Sequence, residues 1–172
     1  MSDANIFQRN ARHLRELNEQ IEQSFAQRDL DEKHRASWMQ ACARFHSSFD
    51  QLAFPGGLQR QFDRMSHSDP EAIELAVRFL EADPWFFRSG YIKEQLLRIL
   101  RRVVLTEDQQ ARLRAVILHH VEIDGRREFR RYCQLARVLN EPSFRKAVVM
   151  HLESDNGRVV SRARLLLRCL AS

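Results

Sequence analysis

Glycine and proline are scarce in this chain, at 5 and 4 of 172 residues, so the residues that break helices or form tight turns are confined to a few places. Strands joined by glycine-rich hairpins are excluded as the main architecture, and an all-helical chain is the expectation. Cysteine is scarcer still. Cys42, Cys133 and Cys169 stand singly inside apolar helical patterns, without the paired spacing of a zinc site. Their odd number leaves no complete disulfide framework, and buried reduced thiols are expected. No stretch approaches the roughly 20 apolar residues that a membrane span needs. The first five residues, Met-Ser-Asp-Ala-Asn, carry neither the basic nor the apolar region of a signal peptide. A cytoplasmic chain with no membrane partner is therefore expected.

Chemistry-bearing motifs are also missing. There is no phosphate-binding glycine loop and no serine in a GxSxG setting, so no catalytic residue and no cofactor is assigned. The nearest approach to a metal cluster is His119 and His120 with Glu122, Asp124 and His151. Adjacent histidines on a helix point about 100° apart and do not readily chelate one ion, so no metal is assigned.

What is present is a helix-former's composition, 44% hydrophobic and 30% charged, in a length that suits one compact unit with its own core. Ile6, Phe7, Leu14, Leu17, Ile21 and Phe25 recur at helical spacing from about Asp3, a plausible N-cap, to Arg28. After the Arg28-Asp29-Leu30-Asp31 break, Trp38, Cys42, Phe45, Phe49 and Leu52 repeat that period until Phe54-Pro55-Gly56-Gly57 stops it. These two segments predict a helical hairpin over residues 1–67, followed by a short helix near Leu58 to Met65. Ser66-His67-Ser68-Asp69-Pro70 is a capping and turn cluster with Pro70 at a first helical position.

From 68 to 172 one pattern is written three times. First helices carry Ala76-Val77, Ala115-Val116 and Ala147-Val148, and each leads to an acidic turn at Asp83, Asp124 and Asp155. Second helices carry Leu96-Leu97-Arg98-Ile99-Leu100, Leu135-Ala136-Arg137-Val138-Leu139 and Leu166-Leu167-Arg168-Cys169-Leu170. The distance between the two marks is 20, 20 and 19 residues. Each hairpin has an apolar stripe too narrow to be stable alone, so stacking on neighbours is expected. Thr106 with Glu107 and Asp108 starts one helix, Pro142 lies near the first turn of another, and Gly125 and Gly157 fall in turns between helices where a left-handed residue is useful.

These hairpins resemble HEAT repeats of the armadillo/HEAT superfamily, over about 69–170. That resemblance implies a short right-handed α-solenoid of about three hairpins preceded by an N-terminal helical hairpin acting as a cap. The family commonly has an Asp in the turn within a hairpin and a basic residue six positions later. Asp124 and Arg130 match that spacing; Asp83 and Asp155 match only the Asp, because Arg88 and Arg162 are displaced by one.

Charge is uneven. Residues 1–67 hold 9 basic and 9 acidic side chains, and 68–172 hold 19 and 14, so the net +5 belongs to the repeats. Arg98, Arg137 and Arg168 share one repeat position, and stacking would set them in a row. Lys93, Arg101, Arg102, Arg126, Arg127, Arg130, Arg131, Arg158, Arg162 and Arg164 lie nearby on the second helices. Such a surface suits an anionic partner, unless these arginines pair with Glu81, Glu94, Glu122, Glu128 and Glu153. The unusual stretch Asp83 to Tyr91 crowds Trp85, Phe86, Phe87 and Tyr91 together. They could form an exposed hot spot for a partner; the favoured expectation is that they plug the junction between the N-terminal hairpin and the first repeat, because large aromatics are more often buried.

The first function expected is a non-catalytic interaction or adaptor module binding an acidic or otherwise anionic macromolecule, protein ahead of nucleic acid, with homo-oligomers possible. Nucleic-acid binding through an arginine-lined concave face is the alternative, although only Phe129 and Tyr132 interleave aromatics with the basic run. HEAT-like DNA glycosylases acting on alkylated bases supply a distant third; this chain is shorter, and their active-site residues do not align onto it.

Overall fold

The computed structural model describes residues 3–123 and 128–171. Every regular element among them is helical. Helices α1 (Asp3–Phe25) and α2 (Glu32–Ala53) fold back on each other. Asp31 caps α2 by accepting from the His34 amide at 2.8 Å, and that bond holds its carboxyl below the usual range. At the α2 terminus Gly56 and Gly57 both adopt φ of 87°, a conformation costly for any residue with a side chain. There follow α3 (Leu58–Ser66), α4 (Pro70–Ala82), α5 (Ser89–Leu100), α6 (Glu107–Ile123), α7 (Phe129–Ala136), α8 (Pro142–Met150) and α9 (Gly157–Leu170), with a 3-10 turn His151–Glu153 before the last.

Local chemistry sets the helix starts. Asp69 accepts from the Glu71 and Ala72 amides at 3.0 and 3.2 Å, ahead of Pro70 at the first position of α4. Thr106 and Gln109 bond each other's backbone reciprocally at 3.1 and 3.2 Å, a capping box that opens α6. Pro142 opens α8, and Asn156 caps α9 through the Arg158 amide. Gly157, expected in a left-handed turn, is instead the first residue of α9 and has no positive φ, because Asn156 already satisfies the helix start. Asp124 and Gly125 lie outside the described residues.

The helices pack as two rows. In the first, α4 packs on α6 and α6 on α8; in the second, α5 packs on α7 and α7 on α9; and α4 with α5, α6 with α7 and α8 with α9 join the rows. Helix α1 extends the first row against α4, and α3 extends the second against α5, while α2 packs chiefly along α1. Phe7, Phe54 and Phe79 seal the α1–α4 junction, with ring centroids 5.1 to 6.3 Å apart. Ala76, Val77 and Leu80 of α4 and Leu96, Leu97 and Leu100 of α5 are all essentially buried. Each fully buried Val or Leu contributes about 1.5–3 kcal/mol of transfer energy.

Burial corrects the register read from the Ala-Val marks. Ala76 is buried but Ala115 is exposed. Val116 and Ile117 occupy the positions of Ala76 and Val77, and Ala147 and Val148 follow them. The interval to Leu135 and Leu166 is therefore 19 in the second and third hairpins, and the first hairpin alone carries one extra residue, in the turn that holds the aromatics.

Candidate binding surfaces

Charge separates by row. Residues 89–102 hold four basic and one acidic side chain, 128–140 hold three and one, and 157–171 hold four and none. The first-row segments reverse this: 69–83 hold one and five, 106–123 two and three, and 141–156 two and three. The first row stays acidic, and Arg112 and Arg114 are paired within it. Arg112 of α6 reaches Glu81 at 2.6 Å, Glu74 at 2.9 Å and Asp108 at 3.1 Å. Its hydrogen bond to Glu81, reinforced by Glu74 and Asp108, pushes the guanidinium pKa up. Burial would raise the Glu74 carboxyl, but hydrogen bonds from Gln109, Arg112 and Arg78 outweigh it and hold that group low. Arg114 pairs with Glu141 at 2.8 Å.

Among the described residues Arg98, Arg101, Arg102, Arg130, Arg131 and Arg137 of the second row find no such partners. Arg98, Arg102, Arg130, Arg137 and Arg168 are exposed, and Arg101 and Arg131 are half-buried. Arg98 donates to Gln95 at 3.0 Å, and Arg101 and Arg131 converge on the Gln134 amide oxygen at 3.4 and 3.0 Å. Pairing with Glu81 and Glu122 fails because Arg112 engages the first and His151 the second, at 3.1 Å. Two basic residues turn away from the basic face. Lys93 is 0% exposed, and Arg162 turns inward to donate to the Val121 and Glu122 carbonyls at 2.7 and 3.0 Å, satisfying the last turn of α6. Arg126 and Arg127 lie outside the described residues. Phe129 and Tyr132 are buried, so they offer no stacking face beside the arginines.

The aromatic turn divides. Phe86 is the plug that was expected: it is 3% exposed and packs edge-on to Phe49 at 6.3 Å. Trp85, Phe87 and Tyr91 are 63%, 55% and 55% exposed, against the expectation of burial, although Phe87 also packs edge-on to Phe45 of α2 at 6.0 Å. Two left-handed non-glycine residues bracket the turn, Asp83 at φ 43° and Arg88 at φ 70°, and such backbone persists only where surrounding contacts hold it. Arg15 of α1 donates to the Trp85 carbonyl at 2.7 Å. The exposed rings border an open cleft of about 660 Å³ between α1, this turn and the start of α5. Glu128, only 5% exposed, reaches the cleft from the start of α7. Gly90 lies beside it, and a Cβ at that position would meet Glu128 Oε2 at 3.4 Å, an ordinary contact.

Behind the turn sits a buried polar set that the sequence did not reveal. Lys93 of α5 pairs with Asp83, His120 Nε2 of α6 lies 3.9 Å from the same carboxylate, and the His120 ring stacks on Tyr132 of α7 at 4.3 Å. The turn aspartate of the first hairpin is thus tied to a lysine ten positions on, and the set spans α4 to α7. The signal for Lys93 was its phase, since 93, 97 and 100 fall on one buried stripe. His119 is exposed, away from buried His120. The Cys133 thiol is pushed up to about 12 by burial and by neighbouring Cys169, which keeps it in the unreactive protonated form. Among the described residues no helix is long and apolar enough to cross a membrane.

Compared with protein-family models, with curated proteins and with solved structures, the chain finds no match.

Proposed function

We propose that the protein is a non-catalytic interaction module, a short right-handed solenoid whose second row docks an acidic protein. The successive packing of α4, α6 and α8, and of α5, α7 and α9, supports the stacked-hairpin reading. The observation that carries the function is the partition of charge: Arg112 and Arg114 are paired within the first row, which stays acidic, while the second row presents Arg98, Arg130 and Arg137 without a counter-charge among the described residues. Val138, 54% exposed beside Arg137, adds apolar surface to that face. Arginine flanked by apolar area suits a carboxylate-bearing protein surface, where the planar fork takes two oxygens at once.

The test is fluorescence anisotropy of a labelled glutamate-rich peptide and of a DNA duplex, titrated in parallel over a salt series. Peptide binding that weakens with salt and is lost in the Arg98→Glu/Arg137→Glu variant supports the reading. Unaltered peptide binding by that variant, or none by the natural chain at low salt, overturns it. Duplex contact is the second reading, favoured by the shared repeat position of Arg98, Arg137 and Arg168, and tighter duplex than peptide binding would select it.

A further inference from the structure

Helix α1 carries its charges in an order that does the helix itself little good. Arg9, Arg12 and Arg15 come first along it, and Glu16, Glu19 and Glu22 follow. An arginine four residues ahead of a glutamate makes a weaker pair than the reverse order, and Glu22 stands in the last turn, at the negative end of the helix dipole. Two of the six are held within the chain: Arg15 donates to the Trp85 carbonyl and Glu22 accepts from Asn18, each at 2.7 Å. The other four are exposed. Arg9, Arg12, Glu16 and Glu19 recur at intervals of 3, 4 and 3 residues, which sets them on one stripe, about 180° around the helix from buried Phe7, Ala11, Leu14 and Leu17. Among the described residues Arg9, Arg12 and Glu19 make no ion pair, and Glu16 meets only the half-exposed His13 at 3.5 Å.

We infer that a second copy of this chain docks on that stripe, with its α1 antiparallel to the first. The stripe is its own complement about the level of Leu14: Arg9 and Glu19 lie five residues to either side of it, and Arg12 and Glu16 lie two. Turning one copy by half a revolution about an axis at that level sets Arg9 opposite the partner's Glu19 and Arg12 opposite the partner's Glu16. Symmetry repeats both contacts, so four pairs form at once. The match continues outward. Asn5 and Gln23, exposed on the same stripe nine residues to either side of Leu14, meet as two amides able to hydrogen-bond. A parallel copy would set arginine on arginine and glutamate on glutamate, which is repulsive. The contact runs about 27 Å along the helix and has no large apolar side chain. Exposed ion pairs are individually weak and screened by salt, so the dimer is a salt-labile one that forms at high protein concentration. This face is separate from the second-row arginines, and neither reading depends on the other.

The experiment is sedimentation equilibrium of the natural chain over a concentration series, at about 10 mM and about 1 M salt, where the screening length is about 30 and about 3 Å. A dimer at low salt that dissociates at high salt is expected. Arg9→Glu/Arg12→Glu makes the stripe wholly acidic and Glu16→Arg/Glu19→Arg makes it wholly basic. Each variant alone should dimerise more weakly by about tenfold or more, and an equimolar mixture of the two should recover the dimer. All four substitutions together restore the complement with its polarity reversed and leave the net charge at +5, which separates the pattern from overall charge. Because the four sites are exposed, every variant should melt close to the natural chain; should a two-site variant melt early, the four-site variant carries the test. A natural chain that stays monomeric at low salt, a dimer undiminished at high salt, a dimer that survives in both two-site variants, or a four-site variant that stays monomeric would each overturn the assignment.

Discussion

Replacing Asp83 by asparagine tests the ion pair it makes with buried Lys93. Asparagine keeps the shape of the side chain and tolerates the left-handed backbone at φ 43°, so the substitution removes charge and little else. Its partner Lys93 has a side chain 0% exposed, whereas the Asp83 side chain is 19% exposed. The two halves of the pair therefore respond differently. Asp83→Asn takes one carboxylate from an ammonium that has no access to water and keeps its other interactions, and breaking such a buried pair costs up to about 3–5 kcal/mol. Lys93→Met leaves an aspartate that still touches solvent and has His120 at 3.9 Å, and it fills the vacated volume with apolar atoms, so a smaller loss, about 1–2 kcal/mol, is expected. For a chain of this size each kcal/mol moves the melting temperature by about 2–4 °C, which puts Asp83→Asn up to roughly 6–20 °C down. Urea denaturation followed by far-ultraviolet circular dichroism reads both variants and the double substitution, which should recover much of the Asp83→Asn loss. An Asp83→Asn protein within about 1 kcal/mol of the natural chain, or a Lys93→Met loss larger than that of Asp83→Asn, would refute the reasoning.

The aromatic turn gives a contrast in the same assay: Phe86→Ala should cost about 3–5 kcal/mol, whereas Trp85→Ala, on the surface and with the Arg15 bond going to its backbone, should change stability by no more than about 0.5 kcal/mol. Acid titration provides another check. The Arg64 hydrogen bond holds Asp69 below its ordinary 3.8, and the network around Arg112 holds Glu74 below 4.5 despite burial. Between the ordinary and the folded values the unfolded chain binds more protons, so their stabilising contribution is complete above about pH 4.5 and is lost as pH falls through the folded values. Asp69→Asn and Glu74→Gln should flatten that acid limb, and an unchanged limb in both would disprove the attribution.

The helices were legible because their punctuation is local. Asp69-Pro70, Thr106 with Gln109 and Asn156 act within one turn of their own position, and a stripe of apolar residues at helical spacing needs no partner to be seen. The register of the first helices was misread because alanine is an ambiguous marker: Ala76 is buried and Ala115 is not, and only the facing helices decide which side of a two-residue mark turns inward. The charged residues were hardest. Lys93, Arg162 and Glu128 read as surface charges by type, yet Lys93 is drawn in by Asp83 at the end of α4, Arg162 by the last carbonyls of α6, and Glu128 is buried at the start of α7. The exposure of Trp85 was equally out of reach, since which of the adjacent aromatics turns inward is set by α2, where Phe86 meets Phe49 and Phe87 meets Phe45.

The sorting of charge between the rows gives the molecule an electric dipole across its thickness. Adjacent helix axes lie about 8–10 Å apart, nearly the same as the screening length of about 8 Å at physiological salt. At long range an approaching body therefore senses little beyond the small net charge; only within the last nanometre does the nearer row dominate. A negatively charged body arriving at the first row is turned away and one arriving at the second is drawn in. The orientation of the encounter is thus chosen before any side chain touches, and lowering the salt extends the distance over which that choice is made.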